Sequence, residues 1–133
     1  MFPATQVREI LQGSRLPGNI VIASECSDGL PAHGGYKDLL RQAADPDAFL
    51  ACLFAPGFSV HDQWQVQVQA QIQRRAHVFV KADGLSDADI RGAWLEPVQD
   101  VADCVSARLA AAGPGSRLAV LPQGPQTIPY IRE

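Results

Sequence analysis

The chain has 133 residues, 47% of them apolar or aromatic and 19% charged, with a formal net charge of −3. At roughly 150 residues per domain this predicts a single domain over 1–133, excludes disordered and fibrous classes, and leaves no room for a second catalytic lobe. Acidic residues outnumber basic ones, 14 to 11, and the longest basic run is Arg74-Arg75, so the concentrated positive face that nucleic acid requires is missing.

Taken in chain order, residues 5–14 predict a helix with Val7, Ile10 and Leu11 on one side, stopped by Pro17-Gly18. Residues 19–24 (NIVIAS) are almost wholly apolar rather than alternating, the mark of a strand covered on both faces. A glycine-bearing loop then leads to a predicted helix over 36–44. Asp45-Pro46 supplies an N-cap and a first-turn proline for a short helix through Phe54, and Pro56-Gly57 breaks the chain again.

Residues 63–73 carry two conflicting signals. Trp64, Val66, Val68, Ala70 and Ile72 alternate with glutamines, as in a strand. Against that, glutamine is a good helix former, Trp64, Val68 and Ile72 repeat at i, i+4, i+8, and Asp62 with Gln65 has capping-box spacing. The Arg74-Arg75-Ala76 link to the next strand also lacks a turn residue, and a helix is expected. Trp64 reads as an apolar plug of the core, and the uncharged glutamine face as one turned toward another protein surface.

The remaining elements are a buried strand over 77–82 (HVFVKA), a helix over 86–94 capped by Ser86, and a helix over 97–112 opened by Pro97. Val98, Val101, Val105, Leu109 and Ala112 form one face of that last helix, and a third strand over 117–122 (RLAVLP) follows. Helical stretches between buried strands imply right-handed crossovers. The expected fold is an α/β three-layer sandwich, Rossmann-like, with a mainly parallel sheet flanked by helices.

Cys26, Cys52 and Cys104 are odd in number and widely spaced, which argues against a disulfide framework or a zinc site and for a reducing cytoplasm. His33, His61 and His77 share no metal-ligand spacing. No signal peptide is expected at the start, and no apolar run approaches a membrane span.

Ligands of parallel sheets sit beyond the carboxyl ends of the strands. The loop after the first strand, Ser24-Glu25-Cys26-Ser27-Asp28-Gly29 with His33 beyond it, gathers a carboxylate, a thiol, hydroxyls and an imidazole. A thiol nucleophile at Cys26 with His33 as its base is one reading. An ordinary buried Cys26 in a glycine-bearing polar turn is a better reading than that, and a ligand-contacting loop, with Glu25, Cys26 and Ser27 as substrate contacts, also carries more weight than catalysis. Trp64 and Gln63 open a helix, where backbone donors favour anionic groups.

Three stretches together resemble the C-terminal domain of the nickel-pincer lactate racemase family. They are residues 20–30 (IVIASECSDGL), residues 62–65 (DQWQ) opening a helix, and residues 118–124 (LAVLPQG) with Thr127-Ile128-Pro129. The resemblance implies an α/β domain that packs on a larger N-terminal catalytic domain, in cis or in trans, and closes a cleft over a small 2-hydroxy acid. It also implies that the nickel pincer nucleotide, its tethering lysine and the proton-shuttling histidines lie on that other domain. The family's hydride abstraction from the α-carbon would then happen there, leaving no catalytic residue, metal ligand or cofactor of this chain's own.

By the same resemblance a tryptophan stands near the cofactor, matched by Trp64 with Gln63 beside it. The family's Tyr-Gln-x-x-Lys element is not matched: the region reads Phe2-Pro3-Ala4-Thr5-Gln6, which puts carboxylate binding in the family's manner in question. A stand-alone interaction or regulatory module that has lost its catalytic partner is the rival reading.

Overall fold

The structure, a computed structural model, describes residues 18–31 and 34–127. The helix expected over 5–14, the Phe2–Gln6 region and His33 lie outside the described residues.

Strands β1 (Gly18–Ser24) and β2 (Ala76–Ala82) pair in parallel over seven residues, from Gly18 opposite Ala76 to Ser24 opposite Ala82. Their alternation divides the side chains between two faces. Ile20, Ile22, Val78 and Val80 share one face and pack on Ile72 and Ile90, whereas Phe79 points to the other.

The first face is covered by helices. α1 (Tyr36–Arg41), α2 (Pro46–Cys52) and α3 (Gln63–Gln73) lie between β1 and β2, and α4 (Asp87–Gly92) follows β2. Asp45 caps α2, accepting from the Ala48 N–H at 2.8 Å, and Ser86 caps α4, accepting from the Asp89 N–H at 3.1 Å, both as the sequence indicated. The first two helices are shorter than expected, and α3 has the expected ends.

α3 is a helix in spite of its alternation, and its surroundings give the reason. At 100° per residue, positions two apart differ by about 200°, so alternate residues fall on opposite sides of the cylinder. Val66 and Ala70 pack on Tyr36, Leu39, Leu40 and Phe49 of α1 and α2, while Val68 and Ile72 pack on the sheet. The helix is sandwiched between two apolar layers and needs an apolar stripe for each.

Some glutamines on its flanks turn inward, contrary to the expectation of an outward glutamine face. Gln69 donates to the Ala93 carbonyl at 2.7 Å and accepts from the buried Tyr36 hydroxyl, and Gln73 donates to the Trp94 carbonyl at 2.5 Å. These bonds hold the chain between α4 and the third strand, where Trp94 has φ of 60°.

The third strand is not the expected one. Glu96–Pro97 forms β3, parallel to β2 opposite Phe79 and Val80, and the Val98 N–H extends the pairing by donating to the Val80 carbonyl at 2.9 Å. Pro97 therefore ends a short edge strand, where its missing N–H costs no ladder bond, rather than opening a helix. The helix, α5 (Val101–Ala112), begins after Asp100, whose carboxylate accepts from the Asp103 N–H at 2.9 Å.

Val101, Cys104, Val105, Arg108 and Leu109 form the half-buried stripe of α5, which packs on β1 and sets the Arg108 guanidinium 5.2 Å from the centre of the Phe79 ring. α5 thus covers the face opposite α3 and α4, completing an α/β arrangement of layers. Residues 117–122, expected as a buried strand, are exposed and form no strand, with Leu118 at 57% and Val120 at 72%. A hydrophobic run marks a strand only where a neighbouring strand receives it, and none among the described residues does.

Candidate functional site at the carboxyl end of the sheet

The chain passes from β1 to β2 and then β3 with helices on one face, and returns over β1 with α5 on the other. Ligands of a parallel sheet sit beyond the carboxyl ends of its strands, and β1, covered by helices from both faces, ends there. The loop found there is Ser24–Gly29.

Two close approaches shape this loop. The Gly29 N–H donates to the Cys26 carbonyl at 2.8 Å, closing a turn in which Cys26 has φ of 47°, a left-handed conformation uncommon for a side-chain-bearing residue. The Gly84 N–H, just beyond β2, donates to the Glu25 carbonyl at 2.8 Å. A Cβ on Gly84 would stand 2.2 Å from the Cys26 carbonyl oxygen, so only glycine lets the two loops meet.

The exposed side chains of Glu25, Ser27 and Asp28 are left to solvent, and the half-buried Cys26 thiol donates to Ser24 Oγ at 3.4 Å. Its expected base, His33, is outside the described residues.

The start of α3 lies at the same end of the molecule, because α3 runs back into the amino end of β2. Asp62 precedes it with φ of 67°, and its carboxylate stands 3.0 Å from His61 Nδ1. The capping box expected between Asp62 and Gln65 is not formed, since Asp62 makes no side-chain cap. Gln63 instead accepts from the Val60 N–H at 2.7 Å, and this bond fixes the turn into the helix. Gly34 and Gly35 press against the same turn. A Cβ on Gly34 would be 2.4 Å from Asp62 Oδ2, and one on Gly35 would be 2.5 Å from the His61 carbonyl oxygen.

Trp64 is 62% exposed, so it is not the core plug that composition suggested; Phe49, fully buried, has that place. Val60 at 36%, in the turn into α3, and Phe54 at 87%, just beyond α2, are exposed as well. Phe54 and Val60 were missed in the sequence because Phe54 continues the helical run of α2 and Val60 stands alone. Gly84 carried a faint signal, as a glycine two residues beyond a buried strand.

Residues 12–128 match the family described as "Lactate racemase C-terminal domain". The chain belongs to that family. It is 25% identical over 118 residues to the lactate racemase of Thermoanaerobacterium thermosaccharolyticum, a match covering 87% of this chain and 27% of that protein.

The fold is also that of part of a solved structure, the lactate racemase apoprotein from the same organism. The TM-score is 0.75 at 21% identity, over 98% of this chain and 31% of the other. The lactate racemase C-terminal domain found here therefore spans about a quarter to a third of the length of these relatives.

Proposed function

We propose that this chain is the cleft-forming C-terminal domain of a lactate-racemase-like 2-hydroxy acid racemase or epimerase, docked in cis or in trans against a larger N-terminal domain that carries the catalytic groups and the nickel pincer nucleotide. The observation that carries this reading is the exposed Trp64 at the start of α3, at the end of the sheet where the Glu25–Ser27 loop also lies, in a family whose relative extends well beyond the matched segment. In this reading Trp64 and Gln63 face the cofactor. The Gln63 carbonyl oxygen is taken by Val60, which leaves its amide N–H groups to donate outward. Glu25, Cys26 and Ser27 face the small 2-hydroxy acid.

Among the described residues no three His, Cys, Asp or Glu side chains converge as metal ligands do, so they do not fit a nickel centre. The share of this domain is to close the cleft, exclude water and hold polar groups at its wall. A cytoplasmic location accords with Cys26, Cys52 and Cys104 all being free thiols and with no described helix long and apolar enough to cross a membrane.

The test is to read the locus upstream of Met1 and purify the native product. A larger domain, in frame or co-purifying, is expected, in an assembly that interconverts the two enantiomers of lactate or a related acid, an activity the 133-residue chain alone lacks. A native product of this chain alone, with no larger partner, would overturn the reading in favour of an interaction module.

A further inference from the structure

α1 begins beyond the loop of β1, and α4 begins beyond the end of β2. Between them lies a concavity of about 230 Å³. Leu30, Leu40 and Ala88 give it apolar lining, Lys37 and Arg41 line it from α1, and Asp89 and Gly92 from α4.

The charges are placed in opposition. Lys37 and Arg41 are four residues apart and share one side of α1. Arg41 is only loosely held, 4.0 Å from Asp38 with both side chains exposed, and Lys37 enters no ion pair with a described residue. Asp89 is held by its own helix: the Ser86 hydroxyl donates to Asp89 Oδ2 at 2.6 Å, and the Asp89 N–H donates back to Ser86 Oγ. These hydrogen bonds keep its carboxyl below the ordinary range, and the nearby positive charge of Lys37 adds to the effect. The cationic and anionic sides therefore sense one another without closing into a salt bridge, leaving room between them for about half a dozen heavy atoms.

Gly92 adds a second observation. It ends α4 with ordinary helical backbone, and a Cβ there would meet nothing within 4 Å. Glycine in a helix costs about 1 kcal/mol relative to alanine, and neither a left-handed backbone nor a close neighbour requires it here. It lines the concavity, where a larger side chain would have open space to occupy.

We propose that this concavity binds a short carboxylate that also carries a hydrogen-bond donor, an amino acid or a hydroxy acid, with the carboxylate on Lys37 and Arg41 and the donor on Asp89. The site uses none of the side chains of Glu25, Cys26 and Ser27 and needs no second domain, so it stands or falls apart from the cleft reading. Backbone amide shifts of the labelled 133-residue chain, followed while L-alanine, L-lactate or propionate is added, test it directly.

Alanine, lactate or both should give saturable millimolar shifts at Lys37, Arg41, Asp89 and Gly92, the active probe identifying the class. Propionate, which lacks the donor, should bind about tenfold more weakly, as should alanine or lactate to Lys37→Gln. Gly92→Leu fills the space and should abolish the response while shifts elsewhere stay in place. No saturable change with alanine or lactate, propionate binding as tightly as both, or a response that survives Gly92→Leu would overturn the proposal.

Discussion

The buried Tyr36 hydroxyl donates to Gln69, and Gln69 in turn donates to the Ala93 carbonyl at 2.7 Å, so one hydrogen-bonded chain ties α1, α3 and the exit of α4 together. Burial pushes the Tyr36 hydroxyl from an ordinary 10.0 up to about 12, although its bond to Gln69 pulls the other way. A folded-state value above the unfolded one means stability that is full below pH 10.0 and lost as pH rises toward about 12. Roughly 2–3 kcal/mol should disappear across that window. Urea titrations between those pH values should show the decline for the wild type and a flatter profile for Tyr36→Phe, which should itself cost about 1 kcal/mol at neutral pH.

Gly84→Ala should be far more damaging than its position two residues beyond a strand suggests. The added Cβ meets the backbone of Cys26, which cannot rotate away as a side chain would. A loss of about 1–3 kcal/mol is expected from such overpacking. Thermal melts measure the loss, and the amide shifts of Glu25 to Asp28 should move while those of α2 stay fixed.

Trp64→Ala and Phe49→Ala should separate sharply. With 62% of Trp64 exposed, its loss should cost below about 1 kcal/mol, the range of surface substitutions. Phe49 is fully buried and touches the rings of Phe58 and Trp94, so its loss should cost about 3–5 kcal/mol. Equal losses in denaturant titrations would show that Trp64 is core after all.

Ser86→Ala and Asp100→Ala each remove the side chain that accepts from a free amide in the first turn of a helix. Each should cost about 1 kcal/mol, and because the caps serve different helices on opposite faces, the double variant should lose about the sum. Chemical denaturation of the three variants decides this.

The parts of the fold legible in the sequence were those governed by local chemistry. The caps of α2 and α4 and the apolar runs of β1 and β2 were read with nearly correct ends, and α3 was read as a helix against its own alternation. Errors arose where a neighbour decides. Residues 117–122 have the composition of a buried strand and are exposed, and Pro97 belongs to an edge strand because Val80 receives the backbone next to it. At the candidate site, the position of the loop beyond the carboxyl end of β1 was legible from the rule for parallel sheets. Its clasp by Gly84 and the charged concavity of Lys37 and Asp89 depend on contacts between segments far apart in the chain, which no local pattern records.

The double apolar striping of α3 has a consequence beyond the native state. Once the helix is released from its two layers, its eleven residues alternate apolar and amide side chains, the pattern of a strand able to stack on copies of itself through glutamine ladders. Folding removes that choice by filling both stripes at once, and unfolding restores it. Heat should therefore take the protein into an aggregate more readily than into a reversible coil, starting from the segment that holds its two cores together.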